Sequence, residues 1–487
     1  MAIEGITSYY EQNKVKYHEA TETECETIIN AALDILEDIG VEATEPVSCR
    51  ILEKAGCTIE GSRVKVPRKL VYKAIDSAPS HIQVYDRNGK PTMDVGGTNV
   101  YFGSGPTNPF INDFETGKRR QTVVEDVARS SKVIDACENI DFLMNLADPC
   151  DCAPTINDVY SMREMLINST KPIFCLAVDV NSLKEQFDLV TAVTGGWDAY
   201  HEKPSAICLS GSPVTPLAMP DDGLEKLIYC VQNEIPHCFA GAYSPGMTAP
   251  ITMAGAIAVG LAESFFSLTL SQLINPGCPV IGAVIVYTVH MANMNPCYGT
   301  PEHCIADAIV ADIFHYLDLP LMATAAASEA KIVDEQYAIE ASFTVYANAL
   351  SGGHLVHDVG FMDSALTTQL DSLTMANEII GYARRIRQGA EINEETIAMD
   401  VIEEVGPKGE FMSTEHTLEN FRDEIWTPKL LCRDGYNDWA VDQKDMRSRV
   451  REATRIILEN HQADPLPDAV LSRFDEIMAS ANARVGA

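Results

Sequence analysis

The run PVIGAVIVYTVHMANMNP, residues 279–296, begins as nearly unbroken apolar sequence and ends in Tyr287, His290, Met291, Met294 and Asn295. A buried strand that finishes in ring side chains, thioethers and an amide has the composition of a binding-site wall. Similar residue types recur at three other places: FGSG, with Phe102, Gly103, Ser104 and Gly105; HCFAGAYSP, with Tyr243; and HLVHDVGF, with His357, Asp358 and Phe361. Tyrosine and phenylalanine faces attract an organic cation through the ring quadrupole, at about 0.5–2 kcal/mol per ring. Imidazole hydrogen-bonds or moves protons near neutral pH, and glycine lets backbone approach a ligand closely. Cationic side chains are few in these stretches, which disfavours a phosphate-bearing substrate. Successive strand residues face opposite ways, so His357 and Asp358 are expected not to share one pocket. Glu263, in a helical run, reads as a buried hydrogen-bonded anchor.

Other chemistries find weaker support. CDC at 150–152 and CYGTPEHC at 297–304 supply soft ligands, but neither contains a CxxC pair or a second half at zinc-finger distance. There is no GxSxG elbow to activate a serine. A phosphate-cradling GxxxxGK[ST] loop is also missing, and the first strand is not followed by a GxGxxG turn.

Residues so far apart in sequence need a scaffold that gathers strand ends. Strand-like segments begin near 98, 140, 172, 205, 237, 279, 320 and 353, and every interval is long enough for a crossover helix. Eight such units predict an α/β fold, a (β/α)8 TIM barrel, whose working face is formed by the loops after the strands. Residues 1–95 are expected to form an N-terminal α+β cap, with helices near 22–38, 46–55 and 67–78 and a hairpin turn at RNGK. Residues 96–380 form the catalytic barrel in this reading, and 381–487 a C-terminal helical extension.

The 487 residues are 46% hydrophobic and 22% charged, as in a globular chain. Seventy acidic against 36 basic side chains give a net charge of −34, which repels nucleic acid and anionic membrane surfaces. The apolar stretch near 250–290 is interrupted at Glu263, Gln272, Asn275 and Pro276, so a bilayer span of ~20 clean apolar residues is not expected. A polar opening without a signal pattern and fourteen cysteines without a framework read as reduced thiols in a cytoplasmic protein.

Taken in order, FGSGPTNPFINDFETGKRRQTVVEDV (102–127), AGAYSPGMTAPITMAGAIAVGLAESF (240–265), TAAASEAKIVDEQ (324–336), GGHLVHDVGFMDSALTTQLDSLTMANEI (352–379) and GPKGEFMSTEHTLENFRDEIWTPKLLCRDGYNDW (406–439) resemble the trimethylamine methyltransferase family. The resemblance spans essentially the whole chain. It implies a (β/α)8 barrel that moves a methyl group from an amine to the Co(I) centre of a corrinoid protein. The corrinoid (cobalamin-type) cofactor would be supplied in trans by that partner, with none tightly bound to the chain and no metal site; a homo-oligomer is also implied. Founding members carry pyrrolysine in the barrel, whereas TAAASEAK here holds only standard residues. Relatives without pyrrolysine demethylate quaternary amines such as glycine betaine, proline betaine, carnitine and γ-butyrobetaine, and the implied substrate is of that class. A quaternary nitrogen leaves as a neutral tertiary amine, so no acid is obligatory, and rings suit it better than carboxylates because its charge disperses as the methyl departs. On this reading Tyr287, His290 and His357 position the reactants. Phe102, Gly103, Ser104, Gly105, Tyr243, Tyr287, His357 and Phe361 bind substrate. Alternatives are a zinc-dependent corrinoid methyltransferase on a similar barrel and a non-catalytic betaine-binding protein.

Overall fold

Seven of the eight apolar runs become parallel strands in the computed structural model, which describes residues 15–486, and the run near 140, labelled β2 below, contributes isolated parallel bridges. They are β1 (Tyr101–Ser104), β2 (residues 142–144), β3 (Ile173–Leu176), β4 (Ala206–Gly211), β5 (His237–Phe239), β6 (Val280–Val286), β7 (Leu321–Thr324) and β8 (Leu355–Val359). The hydrogen-bonded order runs β1, β8, β7, β6, β5, β4, β3. Parallel bridges Gly103 to Phe142 and Leu143 to Ile173 close the ring through β2. Ser104 reinforces this thin seam, its hydroxyl donating to the Met144 carbonyl at 3.0 Å and accepting from the Met144 amide at 2.9 Å.

Every strand sends side chains into the barrel interior, among them Tyr101, Phe142, Phe174, Ile207, Cys238, Ile281, Met322 and Leu355. The predicted RNGK hairpin is present as Ile82–Tyr85 paired with Pro91–Val95, and its Ile82, Val84, Met93 and Val95 join the same cluster. It therefore stoppers the barrel at the end where the strands begin.

Alternate strand residues, among them Phe102 and Val356, turn outward and pack on the surrounding helices. Helix α1 (Met253–Ile274) is apolar on every side because it lies between the barrel and the N-terminal segment. Among the described residues it alone is long and apolar enough to cross a membrane, and 83% of that window is buried within the fold. Helices α2 (Pro301–Tyr316), α3 (Glu335–Ser351) and α4 (Leu370–Gln388) follow β6, β7 and β8.

The N-terminal helices form at Glu22–Asp34, Pro46–Ala55 and Arg68–Ser77, close to the predicted bounds. Thr21 and Glu24 make a reciprocal cap on the first of them. The small N-terminal sheet is not built from its own residues alone: Val41–Ala43 pairs with Arg63–Lys65 on one side and, in parallel, with Ala218–Met219 from the loop after β4 on the other. At the C-terminal end, helices Met446–Asn460 and Asp468–Val485 place Val450 and Phe474 in the same core as the outer face of the barrel.

Candidate active site

Where the strands end, the barrel interior regains contact with solvent. Leu176 and Leu209 are only partly buried, and Ala242, just beyond β5, is exposed. The opposite wall is aromatic. Tyr287, immediately after β6, stacks on Tyr298 with ring centroids 5.1 Å apart and planes 23° from parallel. Tyr298 lies in the segment leading into α2, and that segment is pinned to the loop after β7. Glu329 Oε1 accepts from the Tyr298 amide at 2.6 Å, and Oε2 from the Gly299 amide at 3.1 Å. Burial pushes the Tyr298 phenol above its ordinary pKa, and the nearby charge of Asp358 adds to the shift.

On β8, Leu355 faces the interior and Val356 the helices, so His357 faces the interior again. Asp358 should then point away, yet its Oδ1 lies 2.6 Å from His357 Nδ1. The cause is a bulge: the β8–β1 register shifts between Val356 and Val359, and Asp358 takes φ +78°. That correction overturns the expectation that the two side chains occupy different pockets. Both ring nitrogens of His357 and Oδ1 of Asp358 are buried without a hydrogen-bond partner among the described residues, because the close His–Asp approach does not meet hydrogen-bond geometry. Leaving such atoms unpaired costs about 1–3 kcal/mol each, which suits them to the polar groups of a ligand.

Behind these groups stands a second buried polar array. His303 on α2 hydrogen-bonds the Val286 carbonyl through Nδ1 at 2.7 Å and Thr324 through Nε2 at 2.9 Å. That pattern assigns the proton to Nδ1. Asp307, one turn on, accepts from Asn348 at 3.0 Å and lies 3.4 Å from His303 Nε2. Burial raises the pKa of Asp307 and of Glu329. Their partners are imidazole, amide and backbone groups. The carboxyls of Asp358 and Glu329 thus act on Tyr298, beside the rings, imidazole and backbone amides that the sequence led one to expect.

The structure brings only some of the sequence-selected residues together. Tyr287 and His357 stand at the mouth. Tyr243 turns outward into the α1 layer, fully buried, with its hydroxyl donating to Glu263 Oε2 at 2.7 Å. Phe102 likewise faces the helices, with the Arg384 guanidinium 5.9 Å from its ring centroid. Ser104 is consumed by the β1–β2 seam. Gly103 and Gly105 are roofed by rings: a Cβ at Gly103 would meet Phe142 at 2.2 Å, and one at Gly105 would meet Phe361 at 2.2 Å. Phe361 is buried over that glycine. His290 is exposed at the Thr288–His290/Asn295–Cys297 hairpin, bonded locally to Asn293. Glu263 is the anchor expected of it, since it also accepts from the Leu217 amide.

Tyr298, His303 and Asp307 were missed. The signal was in CYGTPEHC, which was weighed for its cysteines, although its tyrosine stacks at the mouth and its histidine stands behind it. Among the described residues, no group of three or more His, Cys, Asp or Glu side chains is arranged to hold a metal ion.

A family model for trimethylamine methyltransferase matches residues 3–486. The chain belongs to the trimethylamine methyltransferase family. Among its relatives, the glycine betaine methyltransferase of Desulfitobacterium hafniense (strain Y51) is 28% identical over 464 residues, covering 94% of this chain and 96% of that protein. A trimethylamine methyltransferase of Desulfitobacterium hafniense (strain DSM 10664 / DCB-2) is 29% identical, covering 94% and 92%. The corresponding Methanosarcina barkeri (strain Fusaro / DSM 804) enzyme is 26% identical, covering 98% of each chain. In three dimensions, this family member is similar to the Methanosarcina barkeri monomethylamine methyltransferase, with a TM-score of 0.52, 13% identity and coverage of 93% and 92%. That likeness carries the fold.

Proposed function

We propose that this methyltransferase demethylates a quaternary amine and delivers the methyl group to the Co(I) centre of a corrinoid protein that docks at the barrel mouth. The observation that carries the reading is the Tyr287–Tyr298 stack within reach of the charge of Asp358, which lies 2.6 Å from a buried His357 whose ring nitrogens make no hydrogen bond. Ring faces and one carboxylate suit an onium group. The partly buried Leu176 and Leu209 suit its methyls.

The protein's part in the step is positioning. A reduced corrinoid supplies a strong nucleophile for carbon. When the C–N bond breaks, its electron pair returns to nitrogen, so the departing tertiary amine is neutral and takes no proton from the chain. Holding nitrogen, methyl carbon and acceptor in line can contribute about 7–11 kcal/mol in favourable systems. Ring faces such as the Tyr287–Tyr298 stack fit this chemistry better than a shell of carboxylates would, since fixed anions favour the cationic ground state over the charge-dispersed transition state. His357 is the donor available to a substrate carboxylate. Of the other groups considered for that task, Ser104 is engaged and Gly103 and Gly105 are covered.

The test supplies free Co(I) cobalamin and a panel of methylated amines, following methylcobalamin by its absorbance. Methylation from glycine betaine or another quaternary amine is the expected result. Turnover with trimethylamine alone, or turnover that depends on added zinc, would rule the reading out.

A further inference from the structure

β6 and β7 part company before they end. They pair in register at Gly282–Leu321 and Ala283–Met322 and no further, although β6 continues to Val286 and β7 to Thr324. On the far side of each strand the ladder runs on: Val286 pairs with Tyr243, and Thr324 pairs with His357. The opening therefore lies between β6 and β7, one residue short of Tyr287.

Peptide groups left open inside a fold must find other partners, and here the helix layer supplies them. The Tyr287 amide donates to the Tyr243 carbonyl, so the Val286 carbonyl of the same trans peptide points the opposite way, toward β7. His303 Nδ1 meets it at 2.7 Å, while Nε2 of the same ring lies 2.9 Å from the Thr324 hydroxyl. The Thr324 carbonyl accepts from Asn348 on α3 at 2.9 Å, and Asn348 also donates to Asp307. All four side chains are buried. Thr300 caps α2 and accepts from the His303 amide, which sets His303 in the first turn of that helix. Thr324 follows Met322 in the inward series of β7, yet its hydroxyl is bonded to a side chain from the helix layer, so the imidazole enters through the gap. Two hydrogen bonds with a ring between them span more than the single bond of a ladder. At this level β6 and β7 cannot keep the ~4.8 Å spacing of paired strands.

We propose that His303 is a positioning residue that sets the width of the mouth: by holding β6 away from β7 it fixes how far Tyr287 stands from His357, and so which onium heads fit between them. Its ring also meets Tyr298 edge-on with centroids 6.4 Å apart, so the ring stacked on Tyr287 is seated against the same wedge. Both nitrogens of His303 are spent on the scaffold, whereas those of His357 make no hydrogen bond. The inference rests on the reading that the mouth holds a quaternary ammonium group.

The experiment is isothermal titration of the purified full chain with tetramethylammonium and with tetraethylammonium, for the native chain, His303→Leu, His303→Gln, Thr324→Val and Ser271→Ala. Leucine removes both ring hydrogen bonds, glutamine supplies a donor and an acceptor in their place, and Thr324→Val removes one hydroxyl with little change of shape. Ser271→Ala is the control, because it takes the hydroxyl from another buried histidine, His237, at the end where the strands begin. The native chain is expected to bind tetramethylammonium at least tenfold tighter than tetraethylammonium, and Ser271→Ala and His303→Gln to keep that ratio. In His303→Leu and Thr324→Val the ratio is expected to fall at least fivefold with an unchanged far-ultraviolet circular dichroism spectrum. A ratio that survives in both variants, or falls as far in Ser271→Ala, overturns the inference, as does a native chain that shows no preference. Methylcobalamin formation from free Co(I) cobalamin and a panel of quaternary amines, followed on the same preparations, separates this inference from the proposed function. A native chain that discriminates between the two cations but transfers no methyl group sinks that function and leaves the role of His303 standing.

Discussion

His357 Nδ1 and Asp358 Oδ1 approach to 2.6 Å although the two residues are consecutive in one strand. A strand cannot do this while it alternates, and the φ of +78° at Asp358 is what suspends alternation. Replacement by Asn tolerates the same backbone region and keeps the shape while removing the charge. Asp358→Asn is expected to raise KM for a quaternary ammonium substrate about tenfold or more, equivalent to ~1.4 kcal/mol of binding. Its thermal midpoint should fall, because the substitution removes one partner of a close buried pair. Steady-state kinetics and a melting curve on the same preparation check both halves.

The two mouth rings should each contribute separately. Tyr287→Leu and Tyr298→Leu are expected to weaken substrate binding about 2- to 30-fold, the range given by 0.5–2 kcal/mol per ring, whereas the Phe variants stay close to native. Isothermal titration with the quaternary amine found active distinguishes them.

Tyr243 makes the opposite forecast. Its hydroxyl bonds Glu263 in the α1 layer, outside the mouth. Tyr243→Phe should leave KM unchanged and lower stability by about 1–3 kcal/mol, since a buried carboxyl oxygen loses its donor. A denaturant titration measures the second; an altered KM with unaltered stability would return Tyr243 to the substrate.

Glu263 makes stability depend on pH. Burial is the main cause that lifts its pKa from 4.5 to about 7, so the fold prefers the protonated carboxyl. The unfolded chain releases that proton near 4.5 and the folded chain near 7. Glu263 therefore contributes most below about pH 4.5, and its contribution is lost as pH rises toward 7. Glu263→Gln, which can still accept from Leu217, should flatten this part of the profile. Melting temperatures of the two proteins from about pH 5 to pH 8 should diverge in the variant's favour as pH rises.

Gly105→Ala places a methyl 2.2 Å from the Phe361 ring. Overpacking of this kind costs about 1–3 kcal/mol. Chemical denaturation reads the loss, and Gly105→Ala combined with Phe361→Leu should recover part of it.

The barrel was legible because each strand is a short apolar run bounded by turn residues and followed by a helix-length interval. Which side of each strand faces inward was not. In a parallel barrel both faces are buried and both are apolar, so the sequence carries no alternation from which parity can be read. This misdirected Phe102 and Tyr243: the inward series are Tyr101 and Gly103 on β1, and Cys238, Ala240 and Ala242 along and beyond β5. Tyr287 continues the inward series of Ile281, Ala283 and Ile285. Asp358 escaped for another reason, since a one-residue bulge leaves no compositional mark. The stacking of Tyr298 depends on a hairpin folding back over the mouth, a tertiary event beyond local pattern.

The pairing of Ala218–Met219 with Val41–Ala43 reaches further than the small sheet it completes. Glu42 donates to the Leu217 carbonyl at 2.7 Å, Leu217 donates to Glu263, Tyr243 donates to Glu263 at 2.7 Å, and Tyr287 donates to the Tyr243 carbonyl at 3.1 Å. A continuous relay thus joins Val41–Ala43, the first strand among the described residues, to the ring at the mouth. Anyone grafting new specificity onto this scaffold, or trimming it to a minimal catalyst, must carry the leading segment along, because the alignment of one wall of the entrance is inherited from it.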